Sequence, residues 1–133
     1  MDLYAQNILD RYKAPFHKGK NADAAIVRRE ANHSCGDEVE TRLNLKDGKA
    51  VGYGFEGVGC AISQASADLL GDRIDGLTAD EMLALGKKDI VELLGIDISL
   101  RRSKCALLGL LALQNGLLLA NGKEKRSWTF YHV

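Results

Sequence analysis

The sequence predicts an α+β fold, a three-stranded antiparallel sheet sandwiched with about five helices. Three observations predict it. Apolar side chains alternate with period two through the second quarter of the chain, glycine-containing turns cut that stretch into three, and a helical period takes over after Cys60.

The first element is a short amphipathic helix over residues 2 to 13. Leu3, Tyr4, Ile8, Leu9 and Tyr12 recur at helical spacing and the pattern stops before Pro15. After the polar turn HKGKNAD come three strand-length segments, AAIVRREAN, EVETRLNLK and AVGYGFEG. The second sets Val39, Thr41, Leu43 and Leu45 against Glu38, Glu40, Arg42 and Asn44, and the third sets Val51, Tyr53 and Phe55 against glycines. Each strand is therefore expected to bury one face. Cys35-Gly36-Asp37 and Lys46-Asp47-Gly48-Lys49 occupy the connections, where glycine supplies the positive φ that tight hairpins require.

The helical half begins with CAISQASADLLGDRI. Thr78-Ala79-Asp80-Glu81 reads as a helix start, and KKDIVELLG as a helix ending at Gly95. A long last helix is expected from about Leu100 to Ala120, so rich in leucine that most of its circumference must be covered. Gly109 and Gly116 weaken it unless close packing compensates. The tail KEKRSWTFYHV, within residues 121 to 133, has no evident place in the core.

A chain of 133 residues can bury a core without staples, and one domain over residues 1 to 133 is expected. Eighteen basic and eighteen acidic side chains cancel. With no long basic run, nothing matches the footprint of a nucleic-acid binder, and metals, small molecules or proteins are the expected partners. The opening residues MDLYAQNILDRYK lack the apolar stretch of a signal peptide, and ALLGLLALQNGLLLA is short for a bilayer and broken by Gln114-Asn115. A soluble, cytoplasmic protein with no membrane partner is expected.

Three cysteines would leave one over in any disulfide framework, so all three are expected as free thiols. Each sits where a thiol pKa should fall. Cys35 is in a glycine turn at a hairpin tip, Cys60 stands at the start of a helix, and Cys105 follows Arg101-Arg102-Ser103-Lys104. Free cysteine also packs as a small hydrophobe, and these three match no compact CxxC spacing. Together with Asp37, however, they supply three sulfurs and one oxygen, the count for a tetrahedral zinc or one face of an iron-sulfur cluster. Spacing and composition leave both readings open.

The runs NHSCGDEVE, FEGVGCAISQASADLL and RRSKCALLGLLAL, in that order, resemble the signature regions of the IscU/SufU/NifU-like family of iron-sulfur cluster assembly scaffolds. The resemblance extends from the first helix to about Ala120. It implies an IscU/SufE-like sandwich, with Cys35, Asp37, Cys60 and Cys105 as the groups that bind zinc, iron or a transient 2Fe-2S cluster. It also implies a cysteine desulfurase of the SufS or IscS kind as sulfur donor, and a downstream acceptor of cluster or sulfur. Lys104 stands where IscU-type members have histidine, and RSKC and FEGVGCAISQASA look SufU-like, while the interval from Cys60 to Cys105 has an IscU-like length. DISLRRSKC replaces the chaperone-binding LPPVK motif of IscU-type chains. His33, where proline is usual, is a loop histidine or a substitute ligand. Arg102 and Lys104 are expected to support thiolate or persulfide charge.

The function implied is a scaffold that accepts persulfide sulfur and holds iron, a scaffold role rather than enzyme turnover. Cys35 is the first acceptor on the SufU analogy and Cys105 on the IscU analogy. The alternative is a SufU-like zinc-dependent sulfurtransferase that activates a desulfurase without building a cluster. A cysteine hydrolase is disfavoured, because the three histidines lie in a loop, at a strand end and in the tail, and no nucleophile elbow is present.

Overall fold

The structure, a computed structural model, describes residues 3–133, with side chains from residue 5 onward. The expected apolar side chains of Leu3 and Tyr4 thus lie outside the described residues. Helix α1 (Leu3–Lys13) precedes strands β1 (Ile26–Asn32), β2 (Asp37–Lys46) and β3 (Lys49–Val58), which form one antiparallel sheet in the order β1-β2-β3. Helices α2 (Ala61–Ile74), α3 (Ala79–Leu83), α4 (Lys87–Leu94) and α5 (Ser103–Ala120) follow. Short 3-10 turns at Leu100–Arg102 and Trp128–Tyr131 precede and follow α5. This is the expected α+β sandwich.

Local chemistry accounts for most boundaries. Asp47 and Gly48 both have positive φ (54° and 76°), which makes a two-residue turn whose twist suits an antiparallel pair. Thr78 and Glu81 form a reciprocal capping box at the start of α3, and Gly95 closes α4 in the left-handed conformation. Helix α5 lies across β1 and β2 and against α2. With the turn before it, it is long and apolar enough to cross a membrane on composition alone, yet 78% of its most apolar 18-residue stretch is buried in this core. Its glycines serve contact: a Cβ at Gly109 would meet Ala67 Cα at 3.1 Å, and one at Gly116 would meet Ile26 Cγ2 at 3.2 Å.

Strand β3 departs from the expected alternation. Pairing runs from Arg42↔Gly54 to Asn44↔Val51, so β3 carries one extra residue, accommodated by Gly52 at φ 66°. A bulge reverses which face each residue takes. Tyr53 and Phe55 stay in the core, but Ala50, at 1% exposure, replaces Val51 there.

The tail also departs from expectation. Tyr131 is buried, and its hydroxyl donates to Gln114 Oε1. Arg126 Nη1 donates to the same oxygen at 2.7 Å and to Leu83 O at 3.0 Å, while its backbone NH donates to Asn115 Oδ1 at 2.6 Å. Gln114 and Asn115, the pair that breaks the leucine run, are fully buried and need partners. The tail supplies them, and so docks on α5.

A dense ion-pair cluster fixes α1 to α2. Buried Arg11 donates from Nε to Asp68 Oδ2 at 2.6 Å and from Nη1 to Asp72 Oδ2 at 2.8 Å. The backbone NH groups of Phe16 and His17 donate to Asp68 at 3.0 and 2.8 Å, and His17 Nε2 lies 2.8 Å from Asp72 Oδ1. Burial disfavours the Arg11 charge, but hydrogen bonds and attraction from Asp72 and Asp68 outweigh it and hold its pKa above the usual arginine value.

Candidate metal centre

The β1–β2 hairpin, the N-terminus of α2 and the N-terminus of α5 meet at one end of the sandwich. Asn32 and Asp37 close the hairpin as a cross-strand pair, and the loop between them is held by Cys35 and Gly36 NH groups donating to Asn32 O at 3.2 and 2.9 Å. That geometry presents Cys35 at the exposed tip and leaves Asp37 buried at the base. Cys60 is the N-cap residue of α2, and Cys105 lies in the first turn of α5. Two helix N-termini therefore direct partial positive charge at the same place.

Three of the four expected ligands gather, and Cys60, the fourth, stands outside the Cys35, Asp37 and Cys105 group and meets it through Asp37. Cys35 Sγ and Cys105 Sγ are 3.6 Å apart, and Cys60 Sγ lies 3.4 Å from Asp37 Oδ2. Sulfurs about 2.3 Å from a tetrahedral metal stand about 3.8 Å from one another, and a sulfur and an oxygen about 3.6 Å. Ligand atoms of Cys35, Asp37 and Cys105 all lie within 4.8 Å of one another, a cluster able to coordinate a metal ion. An open cavity of about 440 Å³ exposes this set, with Gly59, Cys60, Arg101 and Arg102 completing its wall.

Asp37 is held from two sides. The Cys60 backbone NH donates to its Oδ1 at 3.1 Å. Burial alone would raise its pKa, but hydrogen bonds from the thiols of Cys105 and Cys35 and from Cys60 outweigh that and keep it below the usual carboxylate range. Gly59 makes the fit possible: a Cβ there would stand 2.4 Å from Asp37 Oδ1.

Cys105 contradicts the expectation that all three thiols have lowered pKa. At 7% exposure, its thiol is pushed up by burial, by hydrogen bonds with Cys35 and Asp37, and by the like charges of Cys60 and Asp37. Nearby cations in sequence do not offset four acidic groups gathered in space. A bound cation would, and the donor set thus fits a thiophilic metal ion.

The remaining sequence-derived candidates divide. Arg102 lines the cavity, together with Arg101. Lys104 instead borders a neighbouring cavity with Asn32, Ser34 and His132, its Nζ 6.0 Å from the Trp128 ring centre. His33 is exposed and stands outside the Cys35, Asp37 and Cys105 cluster. Asn32 was not singled out by the sequence. Its buried amide donates to Cys35 Sγ at 3.1 Å and reaches Cys105 Sγ at 3.8 Å, so one side chain orients two sulfurs. The signal available was its place at the head of NHSCGD, where an asparagine commonly starts a turn.

Comparison with known proteins finds relatives both in sequence and in fold. The NifU-like N terminal domain matches residues 3–127. The iron-sulfur cluster assembly scaffold protein IscU of Thermotoga maritima is 41% identical over 83 residues, 62% of this chain and 58% of that protein. The zinc-dependent sulfurtransferase SufU of Bacillus subtilis is 32% identical over 90% of this chain and 92% of its own length. In three dimensions, a protein from Fervidobacterium islandicum, described as an iron-sulfur cluster assembly scaffold for the SUF system, is similar with a TM-score of 0.73. It is 30% identical, and the match covers 84% of this chain and 94% of that one.

Proposed function

From a chain that belongs to the IscU/SufU/NifU scaffold family, with a Cys/Cys/Asp cluster able to hold a metal, we propose an iron-sulfur cluster assembly scaffold that receives persulfide sulfur from a cysteine desulfurase. The observation that carries this reading is the convergence of three thiols and Asp37 on one solvent-open cavity. Iron, sulfur and the transient 2Fe-2S cluster are cargo, bound by Cys35, Asp37, Cys60 and Cys105 and passed to a downstream acceptor. The three free thiols suit a reducing, cytoplasmic location.

Sulfur transfer requires a thiolate that a partner's persulfide can reach. Cys35, exposed on a hairpin tip, meets that requirement, whereas buried Cys105 does not. Cys35 is therefore the first acceptor. Arg101 and Arg102 on the cavity wall favour the anionic persulfide. Asp37 binds through oxygen, a harder and less tenacious donor for iron than thiolate, which keeps the cargo releasable. The Asp37→Ala variant is accordingly expected to retain a reconstituted cluster longer than the parent, followed by its visible absorbance under anaerobic transfer conditions. Equal decay in the two proteins would count against this role.

A second reading is supported by Lys104 directly before Cys105 and by the similarity to SufU over most of both chains. Here the same four groups hold one zinc ion, which would neutralise the crowded thiolates, and the protein relays sulfur without building a cluster. Anaerobic reconstitution combined with elemental analysis separates the two. A visible cluster with iron and sulfide supports the scaffold, whereas one tight zinc per chain and no cluster supports the relay.

A further inference from the structure

The shortest sulfur-to-sulfur approach recorded at the site, 3.6 Å between Cys35 and Cys105, is near-attack distance for a displacement at sulfur. Cys60 is placed differently: its sulfur faces the Asp37 carboxylate at 3.4 Å. Asn32 reaches both paired sulfurs and fixes their relation. Bond formation from 3.6 Å to a disulfide length of about 2.05 Å needs roughly 1.5 Å of travel. Cys35, on an exposed loop between the strands, can supply that travel, while α5 holds Cys105 still.

We propose that Cys105 releases sulfide from a persulfide carried on Cys35, using the thiol pair as the two-electron reductant. This rests on the sulfur-accepting role given to Cys35 above. Cys105 Sγ attacks the inner sulfur, Cys35 Sγ. The Cys35–Cys105 bond forms as the bond from Cys35 to the outer sulfur breaks, and the outer sulfur keeps the electron pair. The persulfide starts as an anion, and its outer sulfur takes the Cys105 proton as the attack begins. That makes Cys105 the thiolate nucleophile and lets the outer sulfur leave as HS⁻. Counting the transferred sulfur as neutral, it gains two electrons, one from each cysteine, and the pair ends as a disulfide. Attack at the outer sulfur would only move the persulfide to Cys105, and the direct contact between the two cysteine sulfurs favours the inner one. A dithiol reductant must reopen the disulfide before another cycle, so the protein delivers one sulfide per reduction.

The test uses the full chain, reduced, freed of metal with a chelator and kept anaerobic. It is charged with one equivalent of a small alkyl persulfide and desalted at once. Alkylation at intervals, peptide mass mapping and a sulfide assay follow the fate of the sulfur. In Cys105→Ser and Cys105→Ala the added sulfur atom is expected to persist on Cys35, with a lifetime at least about 10-fold that in the parent. The parent is expected to lose it, release one sulfide per chain and yield a peptide linked between Cys35 and Cys105. An adduct in the parent as durable as in the variants, or equal sulfide release from all three proteins, overturns the release step while leaving Cys35 as an acceptor. Failure of Cys35 to take up sulfur in the variants overturns the acceptor reading, and the release step with it.

Discussion

Helix α2 carries two polar clusters, and they are balanced in opposite ways. At its N-cap, Cys60 joins Cys35, Asp37 and Cys105, all of which become anionic on ionisation, and among the described residues no ion pair reaches Asp37. Roughly two to three turns further on, Asp68 and Asp72 meet Arg11, His17 and two backbone NH groups. The second cluster satisfies itself, and the first does not. A network closed by hydrogen bonds around a buried ion pair anchors a fold, whereas converging like-charged donors beside an open cavity need something from outside.

The largest effect that should separate the two is on stability. Asp68→Ala leaves buried Arg11 without its closest counter-charge and the NH groups of Phe16 and His17 without acceptors. A loss of about 3–5 kcal/mol is expected in urea unfolding, with metal stoichiometry of the folded protein unchanged. A loss below about 1 kcal/mol would mean that the cluster is no anchor.

Gly59→Ala attacks the other cluster through its geometry. The new methyl would collide with the Asp37 carboxylate, at a position whose φ of 149° suits glycine. Strain of about 1–3 kcal/mol is expected. Zinc affinity, read by chelator competition, should fall about 10–100-fold, since Asp37 is displaced while the thiols remain. Unchanged affinity would show that Asp37 is dispensable for zinc.

The smallest effect concerns pH. Burial opposes ionisation of Asp72, but hydrogen bonds from Arg11 and His17 outweigh it and hold its carboxyl below the usual range. Its contribution is therefore complete above the unfolded carboxylate pKa of about 3.9 and is lost as pH falls through the lower folded value. Asp72→Asn should be less stable than the parent at pH 7 by under about 1 kcal/mol, because the carboxylate is half exposed. The difference should shrink on acidification, and a gap that is constant from pH 7 to below 3 would contradict the linkage.

How far each feature was legible depended on how local its cause is. The capping box at Thr78, the stop at Gly95 and the Asp47-Gly48 turn are set by neighbours in sequence, and all were readable. The bulge at Gly52 was not, because Ala50 and Val51 are both apolar and either phase satisfies the pattern. Nor was the tail, since its partners Gln114 and Asn115 looked like an interruption until their burial created a demand for donors and acceptors. Within the site the sequence pointed to Arg102 and Lys104, whereas Arg101 and Arg102 line the cavity: both lie in the 3-10 turn before α5, and Lys104, one residue before Cys105 on the helix, is turned about 100° from it.

By itself, the sequence determined which chemistry was on offer: three thiols and a carboxylate at turns and helix starts, on an α+β chain of a recognisable kind. Tertiary structure decided how those groups act on one another. Cys105 follows a basic run, yet its pKa is raised, first because folding buries it and then because its neighbours in space are Cys35, Asp37 and Cys60. The same folding left Cys35 accessible, sank Cys105 into the core and set their sulfurs 3.6 Å apart, a pairing between residues 70 positions apart that no local pattern encodes.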